Sequence, residues 1–153
     1  MPWSYAIEGP DNWYALSAEE RATRAQINDD QCIIDDKEFY LRGCLEIPVI
    51  DHPDDPFVWL VWVSVSAESF QYTSDRWTDE IGPDEAPRFG WLSNQIHGYP
   101  LPADGVKCHV HLRSGDLRST IELEPTNYSL AVEQREGITL ERIQEIAAMA
   151  MGH

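Results

Sequence analysis

The alternation of apolar and polar residues predicts several β-strands in the middle of the chain. Phe57–Val65 carries apolar residues on both alternating faces, with Trp59 on one and Trp62 on the other. Apolar residues on both faces indicate a central strand that is covered on each side. Two further strands are predicted before it, Gln31–Ile34 and Phe39–Val49, the second interrupted at Gly43 or ended by Pro48.

A second pair of strands is predicted in the C-terminal half. Val106–Arg113 alternates between apolar and polar residues, and Leu117–Glu124 is the returning strand. Ser114–Asp116 provides the hairpin turn between them. The alternation turns His109 and His111 outward on one face, so the same strand also carries two candidate metal ligands.

Three helices are predicted from their capping signals. Ser17 and Glu20 form a capping box that begins a short helix ending at about Ile27. Ser66–Trp77 is predicted as a second helix, and Thr139–Met151 as a third. Because the strands are mostly adjacent in sequence, the fold class predicted is α+β, a mainly antiparallel sheet with two or three helices packed on it.

The length and composition indicate one folded domain, residues 1–153. Hydrophobic residues make up 42% of the chain, which argues against disorder. No apolar run approaches the roughly 20 residues that a membrane-spanning helix needs. The first residues lack the features of a signal peptide, so a cytoplasmic location is expected. The widely spaced Cys32, Cys44 and Cys108 are expected to be free, buried thiols.

The net charge of −16, from 27 acidic and 11 basic residues, changes the expected partners. Such a charge disfavours binding to nucleic acid or to anionic membrane surfaces. It suits a basic protein partner, although acidity also serves solubility alone. The acidic residues are concentrated at 29–55, which overlaps a predicted loop over Asp51–Pro56, and at 75–85.

Five blocks of sequence are distinctive when taken together. They are Arg42–Pro48, Trp59–Ser66, Phe89–Asn94 with Gly98–Pro100, Ile121–Pro125 and Leu130–Thr139. In this order they resemble a bacterial family of uncharacterised proteins, domain-of-unknown-function family 2199, over about residues 29–147. Many members begin with a Cys-x-x-Cys segment that resembles a zinc site. This chain lacks that segment, so the resemblance implies neither a structural zinc nor catalytic residues.

Few side chains suggest catalysis. His109 and His111 could share a metal with His97 or a carboxylate, but such pairs are common on exposed strands without one, and no metal or cofactor is predicted. Cys108 faces away from both histidines and is expected in the core. Glu122 and Glu124 share a strand face and could form an acid–base pair, although solvated charge is the ordinary interpretation.

The leading hypothesis is a non-enzymatic acidic module that binds a basic protein, for example as an immunity protein or inhibitor of a basic toxin or enzyme. Trp62 and Trp91 are the tryptophans expected outside the core. The partner-binding residues predicted are Asp35, Asp36, Asp51, Asp54, Asp55, Asp79, Glu80, Trp62 and Trp91. Two alternatives stay open. One is a small-molecule or metal-dependent enzyme near Trp91, His97, His109 and His111, and the other is a homodimer joined through the second face of Phe57–Val65.

Overall fold

Eight strands and five helices make up the computed structural model, which describes residues 3–115 and 117–151. The strands are β1 Ser4–Ala6, β2 Ala25–Ile27, β3 Gln31–Ile34, β4 Glu38–Val49, β5 His52–Val65, β6 Arg88–Leu92, β7 Lys107–His111 and β8 Thr120–Leu123. The helices are α1 Asp11–Tyr14, α2 Ala18–Arg24, α3 Ala67–Asp75, α4 Ser129–Glu136 and α5 Leu140–Met151. The α+β class and the mainly antiparallel sheet are confirmed, but the described residues form five helices instead of two or three.

Strands β4 to β8 close into a ring. The sheet order is β1-β5-β6-β7-β8-β4-β3-β2, and β4 pairs in addition with β5 along most of its length. The ring closes where β8 runs parallel to β4, with Cys44 opposite Thr120 and the Cys44 amide donating to the Ser119 carbonyl at 2.9 Å. Closure gives each of these strands an inner face and an outer face.

The main core fills the inside of this ring. It is built from alternate residues of the five strands, for example Leu45, Val61, Val110 and Ile121, each at most 1% exposed. Helix α3 covers one end, where the ring of Phe70 lies 5.3 Å from that of Phe39. Helices α4 and α5 cover the opposite end and bury the side chains Leu130, Ala131, Ile143 and Ile146.

A second, smaller core lies on the outer face of β4 and β5. Trp62 and Tyr40 are buried there, packed against Trp13 and Leu16 of the N-terminal segment. The indole N–H of Trp62 donates to the Ile7 carbonyl at 2.7 Å. The second face of β5 is thus covered by the chain itself, which removes it as the expected dimer surface.

Most predicted elements are present, with shifted ends. The capping box of Ser17 and Glu20 is confirmed, but α2 ends at Arg24 and the chain continues as β2. Strand β4 runs through Gly43 and Pro48 without a break. Five elements were not predicted, because each is short and carries little periodicity of its own: α1, α4, β1, β2 and β6.

Two boundaries were predicted wrongly for physical reasons. Residues 52–56 continue β5 and are exposed, so the segment is polar like a loop while its backbone stays extended. The returning strand of the second hairpin begins at Thr120, and Leu117, expected inside, is 57% exposed. Asp116 of the expected turn lies outside the described residues. Among the described helices, none has the length and apolarity required to cross a bilayer.

Candidate functional site

The outer faces of β6, β7 and β8 form one surface, called here the open face. Its central residues are Phe89 and Trp91 from β6, His109 and His111 from β7, and Glu122 from β8. Phe89 is 48% exposed and Trp91 37% exposed, and their rings meet edge to face at 5.6 Å. An exposed aromatic pair on a rigid sheet is typical of a recognition surface.

Strand register aligns the side chains of the open face in a row. Phe89 lies opposite His109, and His109 lies opposite Glu122. Directly opposite residues in an antiparallel pair place their Cβ atoms about 4.5–5.5 Å apart. The aromatic, imidazole and carboxylate groups therefore follow one another across three strands.

His109, His111 and Glu122 are brought together on this face. One donor atom from each residue lies within 4.8 Å of the other two. His111 Nε2 is 2.9 Å from Glu122 Oε1, and the two imidazole rings stand nearly perpendicular, 6.2 Å apart. The predicted histidine pair thus gains a carboxylate as its third donor. His97 lies apart from it and lines a different cavity with Asp11 and Asn94.

Two grooves flank β8 on the open face. The first, of about 320 Å³, is lined by Phe89, Lys107, Cys108, His109, Glu122, Leu123, Glu124 and Pro125. The second, of about 620 Å³, is lined by Glu46, His111, Thr120, Ile121, Glu122, Leu123, Pro125, Gln134 and Arg135. Glu122 borders both grooves, so a ligand in either one meets the same carboxylate.

The cysteines do not form a nucleophilic site. Burial raises the pKa of the Cys108 thiol to about 12 and that of Cys32 to about 11. Burial also raises the pKa of Cys44, which is half-buried and accepts a hydrogen bond from Arg113 at 3.7 Å. A thiol must lose its proton to act as a nucleophile, so the raised pKa disfavours that role for all three cysteines.

The two tryptophans predicted to contact a partner have different positions. Trp62 is 0% exposed, so the expectation for it is corrected: it belongs to the second core and presents no surface. Trp91 lies on the open face, with Lys107 Nζ 5.8 Å from its ring centroid. Sequence alternation alone cannot show which tryptophan is buried, because Trp62 is covered by the N-terminal segment, which is far from β5 in the chain.

The predicted acidic residues do not form one patch. Asp35 and Asp36 make the turn between β3 and β4, whereas Asp51 lies in the turn between β4 and β5, and Asp54 and Asp55 lie in the exposed first residues of β5. These turns lie at opposite ends of the twelve-residue strand β4, separated by up to roughly 35 Å along it. Asp79 and Glu80 follow α3, near the first end.

Asp35 is already engaged within the chain. Its carboxylate accepts two hydrogen bonds from Arg24, at 2.9 and 2.7 Å. The hydrogen bond from Arg24 lowers the pKa of Asp35 below its ordinary value. A basic partner would have to compete with Arg24 for this carboxylate, so Asp35 is a weaker contact than its sequence position suggests.

The arginines are held by internal contacts. Arg118 pairs with Asp30 at 2.6 Å, and Arg42 donates to the carbonyls of Asp29 and Ile7. Every arginine of the chain donates at least one such hydrogen bond. Ion pairs among the described residues engage a minority of the carboxylates. The negative charge at the surface therefore stays largely unbalanced.

Sequence reasoning missed Glu122 as the partner of the two histidines. Its outward position in the alternation of residues 120–124 was the available signal, together with the predicted hairpin. The actual register depends on where β8 begins, and the connection from His111 to Thr120 is longer than a tight turn. The identity of the third donor therefore required the fold.

The comparisons with known proteins bear on family and not on activity. Residues 1–138 match the family DUF2199, described as an uncharacterized protein conserved in bacteria. No curated protein and no solved structure matches the chain. The match covers most of the chain and agrees with the blocks recognised in the sequence. The chain belongs to the DUF2199 family of uncharacterised bacterial proteins.

Proposed function

We propose that the protein is a non-enzymatic binding module for a basic protein partner, and that the open face receives a cationic side chain of that partner. One observation carries this proposal. Phe89 lines the same groove as Glu122 and Glu124. An aromatic ring beside two carboxylates is the chemistry that recognises an arginine or lysine side chain.

Two physical contributions favour such a contact, and together they must exceed the repulsion from Lys107, which lines the same groove. A cation over an aromatic face gains about 0.5–1 kcal/mol at an exposed site. Hydrogen bonds from a guanidinium to a carboxylate are shorter and about twice as strong as neutral ones. Phe89 and Glu122 are held on β6 and β8 of the closed ring, on either side of β7, so little ordering is required when the partner binds.

The charge distribution supports approach of a basic partner toward this end of the molecule. Strands β4 and β8 run parallel, so their carboxyl ends lie at the same end of the ring. Asp51, Asp54 and Asp55 follow β4 there, beyond the level of Glu124. Opposite charges steer encounter over a Debye length of about 8 Å at physiological salt. Asp36, Asp79 and Glu80 lie at the other end and add to the general field.

A specific form of this proposal is an immunity protein or inhibitor that covers the cationic site of a toxin or enzyme. A rigid acidic face with an aromatic anchor suits that task, because the aromatic residue provides the desolvated centre of the contact and the carboxylates provide its charge complementarity. Trp91, beside Phe89 on β6, would extend the anchor.

Capture from the source bacterium's lysate, with matched baits, tests the proposal. We expect the wild-type protein to retain a basic protein that high salt releases, and we expect Phe89→Ala and Glu124→Gln to reduce its recovery at least about tenfold. Asp36→Asn is the control, because it removes one charge at the far end of β4 and should leave recovery within about twofold. Equal recovery on all four baits would contradict a contact at the open face.

A further inference from the structure

We propose that His109, His111 and Glu122 form a binding site for one divalent transition-metal ion of the zinc type. The donor atoms of the three side chains already lie within 4.8 Å of one another. His111 Nε2 and Glu122 Oε1 are hydrogen-bonded at 2.9 Å, slightly closer than two ligands of one tetrahedral ion, so a bound metal would replace the proton between them. This inference goes beyond the proposed binding of a basic protein and stands without it.

The donor set selects the class of metal. Two imidazoles and one carboxylate are a ligand set that zinc takes in sites with an open coordination position. Imidazole also suits copper, nickel and iron, whereas magnesium and calcium prefer oxygen ligands alone. A transition-metal ion is therefore the occupant that this site favours over a hard cation.

The fold places the donors without distortion of the backbone. His109 and Glu122 face each other directly across β7 and β8, and His111 is two residues further on the same face of β7. Ligands of a tetrahedral zinc at 2.0–2.1 Å lie roughly 3.3 Å from one another. Small rotations of the exposed His109 and Glu122 side chains would close the remaining gap.

The surroundings leave the ion accessible. Both grooves border Glu122, and the three protein donors leave at least one position of a tetrahedral ion for water or a small anionic ligand. An imidazole binds a metal only through an unprotonated ring nitrogen, so protons compete with the metal for this site.

Variants of two residues distinguish the metal site from the proposed contact with a basic protein. His111 belongs to the donor cluster and lies outside the first groove, whereas Phe89 lies in that groove and provides no donor atom. His111→Ala therefore addresses the metal, and Phe89→Ala addresses the basic partner. Glu122 belongs to both sites, so a bound metal and a partner's cation compete for its carboxylate, but failure of one proposal leaves the other standing.

Titration of untagged, chelator-treated protein with Zn²⁺, followed by calorimetry, is the direct test. We expect one ion per chain and at least about 100-fold weaker binding in His109→Ala and in His111→Ala, since loss of even an outer partner of a ligand costs 10–100-fold. Co²⁺ should give a visible spectrum of nitrogen and oxygen coordination that disappears in the same variants. Mg²⁺ should not compete.

His97→Ala provides the matched control, because His97 lines a separate cavity and its loss should leave Zn²⁺ affinity unchanged. Thermal unfolding without metal checks that each variant is folded. Wild-type protein that takes up no Zn²⁺, or a His111→Ala variant that binds it as tightly as wild type, would overturn the inference.

Discussion

Trp62→Ala is expected to lower the free energy of unfolding by about 3–5 kcal/mol, the largest single effect predicted for this chain. Trp62 is 0% exposed and is the largest of the fully buried side chains. Its indole N–H donates to the Ile7 carbonyl at 2.7 Å, and the guanidinium of Arg42 lies 5.5 Å from its ring. Truncation removes the largest apolar contact between the N-terminal segment and the outer face of β5, where the pairing of β1 with β5 remains.

Chemical denaturation measures this loss. Phe89→Ala is the matched control, because its ring is 48% exposed and its removal should cost only about 1 kcal/mol. The same control shows that the variant used to test partner binding is folded. Losses of equal size for the two variants would mean that Trp62 does not form the centre of a second core.

Gly90→Ala is expected to cost about 1–3 kcal/mol, because β6 approaches its neighbours too closely for a side chain. A Cβ atom at residue 90 would lie 2.8 Å from the Ser64 carbonyl oxygen and 3.5 Å from Cys108 Sγ. The carbonyl belongs to the backbone of β5 and cannot rotate away. The strain would fall directly behind Phe89 and Trp91 and would shift the open face.

Thermal unfolding of Gly90→Ala against Gly82→Ala isolates this effect. Gly82 has open space around it, so alanine there should leave stability unchanged or slightly raised, since it restricts the unfolded chain. If Gly90→Ala were as stable as Gly82→Ala, the close approach of β5, β6 and β7 would be wrong.

Local signals in the sequence were enough to predict much of the sheet. Alternation placed Phe57–Val65 as a buried strand and turned Cys108 inward beside outward-facing histidines. The cap at Ser17 depends on hydrogen bonds three residues apart, which is why its position was predictable. Such features are determined within one element and need no knowledge of distant neighbours.

The remaining features depend on contacts between distant segments. Trp62 is buried by contacts with Ile7 and Trp13, about fifty residues earlier in the chain. Ring closure depends on the parallel contact of β4 with β8, for which a sequence pattern offers no signal. Residues 52–56 are polar because they are exposed, and composition alone cannot distinguish an exposed strand from a loop.

The candidate site was predictable in part. The alternation gave the outward histidines, whereas the third donor required the register of β7 with β8. Acidic residues that are neighbours in the sequence were expected to act together. The length of β4 instead carries Asp35 and Asp51 to opposite ends of the ring, so proximity in sequence misled the choice of contact residues.

The most direct test of the open face uses a defined probe, an amidated tetra-arginine peptide, titrated into isotope-labelled protein and followed by NMR. We expect the largest chemical-shift changes at Phe89, His109 and Glu124, and we expect Glu124→Gln to weaken the titration several-fold. Shifts centred on Asp36 or Glu80, or spread evenly over all acidic residues, would contradict a cation-binding groove between β6, β7 and β8.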